Sequence, residues 1–117
     1  MIGPRPGLRI LIATRPVDGR RGINGLTALI AEVLQANPYS GDIFVFRSKR
    51  ADRVRFLVYD GSGMVLTSKW LEEGRFTWPP IRDGAMPLTP AQFEVLVAGL
   101  DWTKVSAKPF KRPLRVA

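Results

Sequence analysis

The stretch Val54-Arg55-Phe56-Leu57-Val58-Tyr59-Asp60-Gly61-Ser62-Gly63-Met64-Val65-Leu66-Thr67-Ser68-Lys69-Trp70-Leu71 decides the fold. Its first six residues are rich in branched and aromatic side chains, and Met64–Leu71 resumes that character after Asp60-Gly61-Ser62-Gly63. Glycine readily adopts the positive φ that tight hairpin turns demand, so the two runs read as strands joined by a hairpin. Upstream, Ile43-Phe44-Val45-Phe46-Arg47 is a third strand, set off by the charged turn Ser48-Lys49-Arg50-Ala51-Asp52-Arg53. Downstream, Arg75–Trp78 follows Glu73-Gly74 and is expected to pair as a short edge strand before Pro79-Pro80 stops it.

Two helices flank this block. Ile23, Leu26, Leu29, Ile30, Val33 and Leu34 recur at helical spacing and predict a helix starting near Gly22–Asn24 and ended by Asn37-Pro38. Thr89-Pro90 places a capping hydroxyl before a proline suited to the first helical position. Phe93, Leu96, Val97 and Leu100 follow on one face. Leu8–Ala13 reads as a short buried strand, residues 14–25 as a turn or structured loop, and residues 79–88, with three prolines, as a loop. Consecutive hairpin-linked strands favour α+β over an alternating parallel sheet. The expected architecture is one α+β domain, an antiparallel meander of three to five strands with two helices. It should occupy residues 1–103, with a basic, flexible tail at 104–117 that carries Lys104, Lys108, Lys111, Arg112 and Arg115 and no acid.

Composition removes whole classes of chemistry. The chain of 117 residues has no Cys and no His, so disulfides, thiol nucleophiles, zinc fingers and imidazole acid–base catalysis are absent. No apolar run approaches the roughly 18 residues a membrane span needs, and no secretory signal follows Met1, so a cytoplasmic protein with no membrane partner is expected. The acids Asp18, Asp52, Asp60, Glu72, Glu73 and Asp101 each suit an ordinary turn or helix-end role, and no spacing forces a metal-binding pair. The serines lack an activating base, and no Gly-rich loop ends in Gly-Lys-Ser or Gly-Lys-Thr. No catalytic residue, metal site or cofactor is therefore expected, and the chain reads as a non-enzyme.

What remains is positive charge. The excess of 18 Lys and Arg over 10 Asp and Glu leaves +8, a field that attracts phosphate backbones or acidic partners. Arg20 and Arg21 stand at the start of the first helix, where phosphate binds well, or else pair with Asp18 to lock the loop. Lys49, Arg50, Arg53 and Arg55 surround the first hairpin, which either lies on a phosphate backbone or is a solvated turn. The aromatics of the strand region, Trp70 among them, are expected chiefly to fill the core, with Trp78 and Trp102 better placed for partial exposure.

Several motifs occur in order: Asp18-Gly19-Arg20-Arg21-Gly22-Ile23-Asn24-Gly25-Leu26, Asn37-Pro38-Tyr39-Ser40-Gly41-Asp42-Ile43-Phe44-Val45-Phe46 and Tyr59-Asp60-Gly61-Ser62-Gly63. Lys69-Trp70-Leu71-Glu72-Glu73-Gly74-Arg75-Phe76-Thr77-Trp78-Pro79, Leu88-Thr89-Pro90-Ala91-Gln92-Phe93 and Gly99-Leu100-Asp101-Trp102 complete the series. In order and spacing the chain resembles, over residues 2–103, the TnpB accessory proteins encoded by the second open reading frame of insertion sequences of family sixty-six. The resemblance implies an accessory role in transposition, with strand cleavage and joining left to a separate transposase. The expected partners are the transposase, other insertion-sequence proteins and DNA. Arg20, Arg21, Lys49, Arg50, Arg53 and Arg75 are the expected contact residues. The alternative is a protein–protein adaptor with no nucleic-acid contact, and the oligomeric state stays open.

Overall fold

The computed structural model describes residues 8–106. Its elements run β1 (Ile10–Val17), α1 (Ile23–Glu32), β2 (Ile43–Ser48), β3 (Arg53–Tyr59), β4 (Met64–Trp70), β5 (Ala85–Leu88) and α2 (Pro90–Val97), closed by a 3-10 turn at Trp102–Lys104. The five strands form one sheet in the order β4-β3-β2-β1-β5. The expected hairpin register holds, with Tyr59 opposite Met64 and Arg53 opposite Trp70. The meander is β2-β3-β4. The first strand joins it differently: β1 lies parallel to β2, pairing Ile10 with Ile43, because α1 carries the chain back across the sheet between them.

Both faces of the sheet are covered, and the side chains alternate accordingly. Ile10, Ile12, Ile43, Val45, Val54, Phe56 and Val58 point to one face, where Leu96 of α2, Phe76 and Trp102 complete the core. Ala13, Val17, Phe44, Phe46 and Leu57 point to the other, against Leu26 and Ile30 of α1. Burial on both sides explains the unbroken apolar run Ile43–Phe46. The α+β single domain expected from the hairpin pattern is what the structure shows.

Four local expectations give way. Residues 79–88 are not all loop: Ala85–Leu88 is β5, antiparallel to β1, with Pro87 opposite Leu11. A proline is tolerated there because β5 is an edge strand. Arg75–Trp78 is irregular rather than a strand, held by the Phe76 backbone N–H and the Trp78 indole N–H, which both donate to the Ala51 carbonyl at 2.9 and 3.1 Å. β1 continues to Val17 through an irregularity after Ala13, into the stretch expected as loop. Helix α1 stops at Glu32, short of Asn37-Pro38. The Leu34 N–H turns back to the Leu29 carbonyl, the Ala36 N–H bonds the Ile30 carbonyl, and Gln35 adopts φ 52°. The tail expected at 104–117 lies, from residue 107 on, outside the described residues, while Lys104 belongs to the 3-10 turn.

Candidate nucleic-acid interface

Helix α1 is only ten residues long and covers part of its sheet face. Along that face β3 and β4 present Leu57, Leu66 and Met64 to the α1 core. Two and four residues further along β3, the same alternation brings up Arg55 and Arg53, opposite Ser68 and Trp70. These residues floor a groove of about 440 Å³, walled by Asp18–Arg20 on one side and Ser48–Arg50 on the other. Arg20, Lys49, Arg50, Arg53 and Arg55 line it, against the single carboxylate of Asp18.

The arginines are held in place. Arg55 reaches from β3 and donates from its two terminal nitrogens to the Arg21 carbonyl and, at 3.0 Å, to the Asp18 carbonyl, fixing the loop over the sheet. Burial pulls the Arg55 pKa below the usual guanidinium value, and the Asp18 charge opposes that pull. Asp18 receives the Arg20 backbone N–H at 2.9 Å and pairs with its guanidinium at 3.1 Å. The hydrogen bonds from the Arg20 side chain and backbone hold the Asp18 carboxyl down to about 2, so it is charged across the neutral range. Arg50 and Arg53 flank Asp52 with Nε–Oδ1 separations of 3.5 and 3.9 Å. The Arg53 guanidinium also stacks over the Trp70 indole, 5.0 Å from its centroid. Lys49 makes no hydrogen bond or ion pair among the described residues and stands as a point charge on the rim.

The structure thus brings together four of the six residues expected from sequence: Arg20, Lys49, Arg50 and Arg53. Arg75 lines an adjoining depression of about 370 Å³ with Lys49, Arg50 and Gly74. Arg21 turns to the first turn of α1, donating to the Gly25 carbonyl at 3.2 Å, and is not part of the groove wall. N-cap Gly22 supplies no side-chain hydrogen bond to that helix end. The Arg20–Asp18 pair shows that loop locking and exposure coexist, since the Arg20 side chain is 93% exposed.

Arg55 and Trp70 also line the groove, outside the contact set expected from sequence. Arg55 belongs to the hairpin cluster but not to the expected contacts. Trp70, expected in the core, is 61% exposed. The signal for both was the register: once Asp60–Gly63 is the turn, Arg53, Arg55, Ser68 and Trp70 must share a face. Phe44, Phe46, Phe56 and Phe76 are buried as expected, whereas Trp102, expected to be partly exposed, is 5% exposed and donates to the Thr77 carbonyl at 2.6 Å.

Three of the aspartates are engaged in local structure. Asp60 accepts from the Ser62 and Gly63 backbones at 2.9 and 3.0 Å, Asp42 from Arg9, and Asp101 from Thr103. Among the described residues no group of three or more His, Cys, Asp or Glu side chains is placed to hold a metal ion. No described helix is long and apolar enough to cross a membrane.

Fold and groove define a small α+β protein with a cationic cleft beside an exposed tryptophan. A family model, TnpB of the IS66 Orf2 like proteins, matches residues 8–107, and the chain belongs to that family of insertion-sequence accessory proteins. The resemblance carried by the ordered motifs is thereby confirmed. The chain is 62% identical over 117 residues, the full length of both, to "uncharacterized protein y4jC" of Sinorhizobium fredii (strain NBRC 101917 / NGR234). It is 38% identical to "uncharacterized protein y4hO" of the same organism over 102 residues, 87% of this chain and 89% of the relative. No solved structure matches it.

Proposed function

We propose that this chain binds DNA as an accessory protein of insertion-sequence transposition and leaves strand cleavage and joining to a separate transposase. The carrying observation is the groove, where five cations face one carboxylate. Phosphate backbones are the common ligand of such a surface, and planar guanidiniums held by backbone carbonyls and carboxylates meet them without further ordering. The engagement of Asp18, Asp42, Asp60 and Asp101 in local hydrogen bonds supports the non-catalytic part of the reading.

The test is binding to DNA carrying the element's terminal repeat over a salt series. Groove contacts to three or four phosphates predict a log–log slope of at least about −3. Replacing Lys49 and Arg20 by Ala should make it shallower by about 1–2. Binding that is absent or indifferent to salt would sink this reading. In that case, transposase recovered with the protein after nuclease treatment, and lost in Arg20→Ala/Arg21→Ala, would establish the adaptor role. Metal-dependent strand cleavage abolished by Asp60→Asn would overturn the non-catalytic assignment.

A further inference from the structure

The groove is more specific than a patch of charge. We infer that it takes single-stranded DNA, with a base stacked on Trp70 and its flanking phosphates held by Lys49, Arg20 and Arg50; this rests on the DNA-binding reading above. Four observations converge on it. Trp70 sits at the end of β4 on the groove floor and is 61% exposed, although a tryptophan ordinarily buries most of its surface. The Arg53 guanidinium covers one face of its ring and places positive charge beside it, so the base stacks on the opposite face. Lys49, Arg50 and Arg20 line the same groove as the indole, so a base stacked there has cations at hand for its phosphates. The volume of about 440 Å³ falls within the roughly 300–1,000 Å³ of sites that enclose a small ligand, so a base with its phosphate is accommodated.

Strand type follows from the physics of stacking. In a duplex each base is already covered above and below, so an indole meets only edges and sugars. A base in a single strand, or one freed by local melting, offers its face. Aromatic platforms ringed by basic side chains are the general solution for binding single strands with little sequence preference.

The experiment uses the full chain with a 12-nucleotide oligo(dT) and a blunt 20-base-pair duplex. The readouts are fluorescence anisotropy of labelled DNA and quenching of tryptophan emission. Oligo(dT) should bind more tightly than the duplex and quench the emission. Trp70→Ala should weaken oligo(dT) binding about 10- to 100-fold and leave duplex binding within about twofold, while Trp70→Phe restores most of the loss. Trp70 is exposed, so thermal melting should show both variants folded like the parent. Unchanged oligo(dT) affinity in Trp70→Ala, or a duplex preferred without quenching, would overturn the single-strand assignment while leaving salt-dependent DNA binding intact. Absence of binding to either DNA would overturn both readings, and a protein ligand on this surface would then be the alternative.

Discussion

Asp42 is 4% exposed and ties the start of β1 to the start of β2. It accepts the Arg9 backbone N–H at 2.8 Å and the Arg9 guanidinium at 3.0 and 3.3 Å. Burial pushes its carboxyl up. Hydrogen bonds from the Arg9 backbone and side chain and from Ser40 outweigh that, so its pKa lies below the usual carboxylate value. A lowered folded-state pKa contributes stability that is present above about pH 4 and lost as pH falls through the folded value. Urea melts should therefore show the wild type losing part of its stability between pH 5 and pH 3. Asp42→Asn should be weaker by about 1–3 kcal/mol at pH 7 and lose less on acidification. Arg55 makes a second prediction. Its fork spans two backbone carbonyls, which a lysine ammonium cannot match. Arg55→Lys should cost about 1 kcal/mol and speed trypsin cleavage after Arg20 and Arg21, followed by mass spectrometry. Sequence makes both basic clusters visible, but not this clamp. A bond between residues 37 apart, made to carbonyls that every residue carries, leaves no mark in residue type.

At the level of elements, helix α2 shows how far local chemistry reaches. Thr89 caps the helix as Thr89-Pro90 leads one to expect, accepting the Gln92 N–H at 3.1 Å, and the Gln92 side chain completes a reciprocal capping box by accepting the Thr89 N–H at 2.9 Å. Thr89→Ala should cost about 1 kcal/mol in a denaturant melt. At the other end Gly99 has φ 82°, and a Cβ there would stand 3.1 Å from Leu71 Cδ2. Gly99→Ala combines left-handed strain with that contact and should cost about 1–2 kcal/mol by the same measurement. The hairpin β3–β4, α1 and α2 were legible because their signals are local: turn residues, period and caps. β5 was not, because Pro87 argues against a strand unless its partner leaves the edge open, and that partner is β1, far away in sequence. Arg75–Trp78 misled for the converse reason. Its alternating pattern is satisfied by Phe76 inserting into the core rather than by pairing. The groove was legible as separate clusters but not as one site, because one wall is the loop Asp18–Arg20 ahead of α1, which Arg55 holds over the sheet.

Across the whole molecule the charge is unevenly divided. All 10 acids lie within residues 8–106, whereas Arg5, Lys108, Lys111, Arg112 and Arg115 lie outside them, so those five residues carry most of the net +8. Replacing Lys108, Lys111, Arg112 and Arg115 by Ala should make the salt slope of DNA binding shallower by up to about 3–4, with tryptophan quenching by oligo(dT) retained. An unchanged slope would confine phosphate contact to the groove. The placement of β1 has a different consequence, for synthesis. Its outer edge is closed only by β5, and the buried Thr14 hydroxyl pairs with Arg82 across 68 residues. At about 5–20 residues per second the ribosome needs roughly 3–14 s to supply that partner. During that interval Leu11 and its neighbours present an unpaired, apolar strand edge. The nascent chain is then open to chaperone capture or misassociation, and the sheet closes only once Ala85–Leu88 has been made.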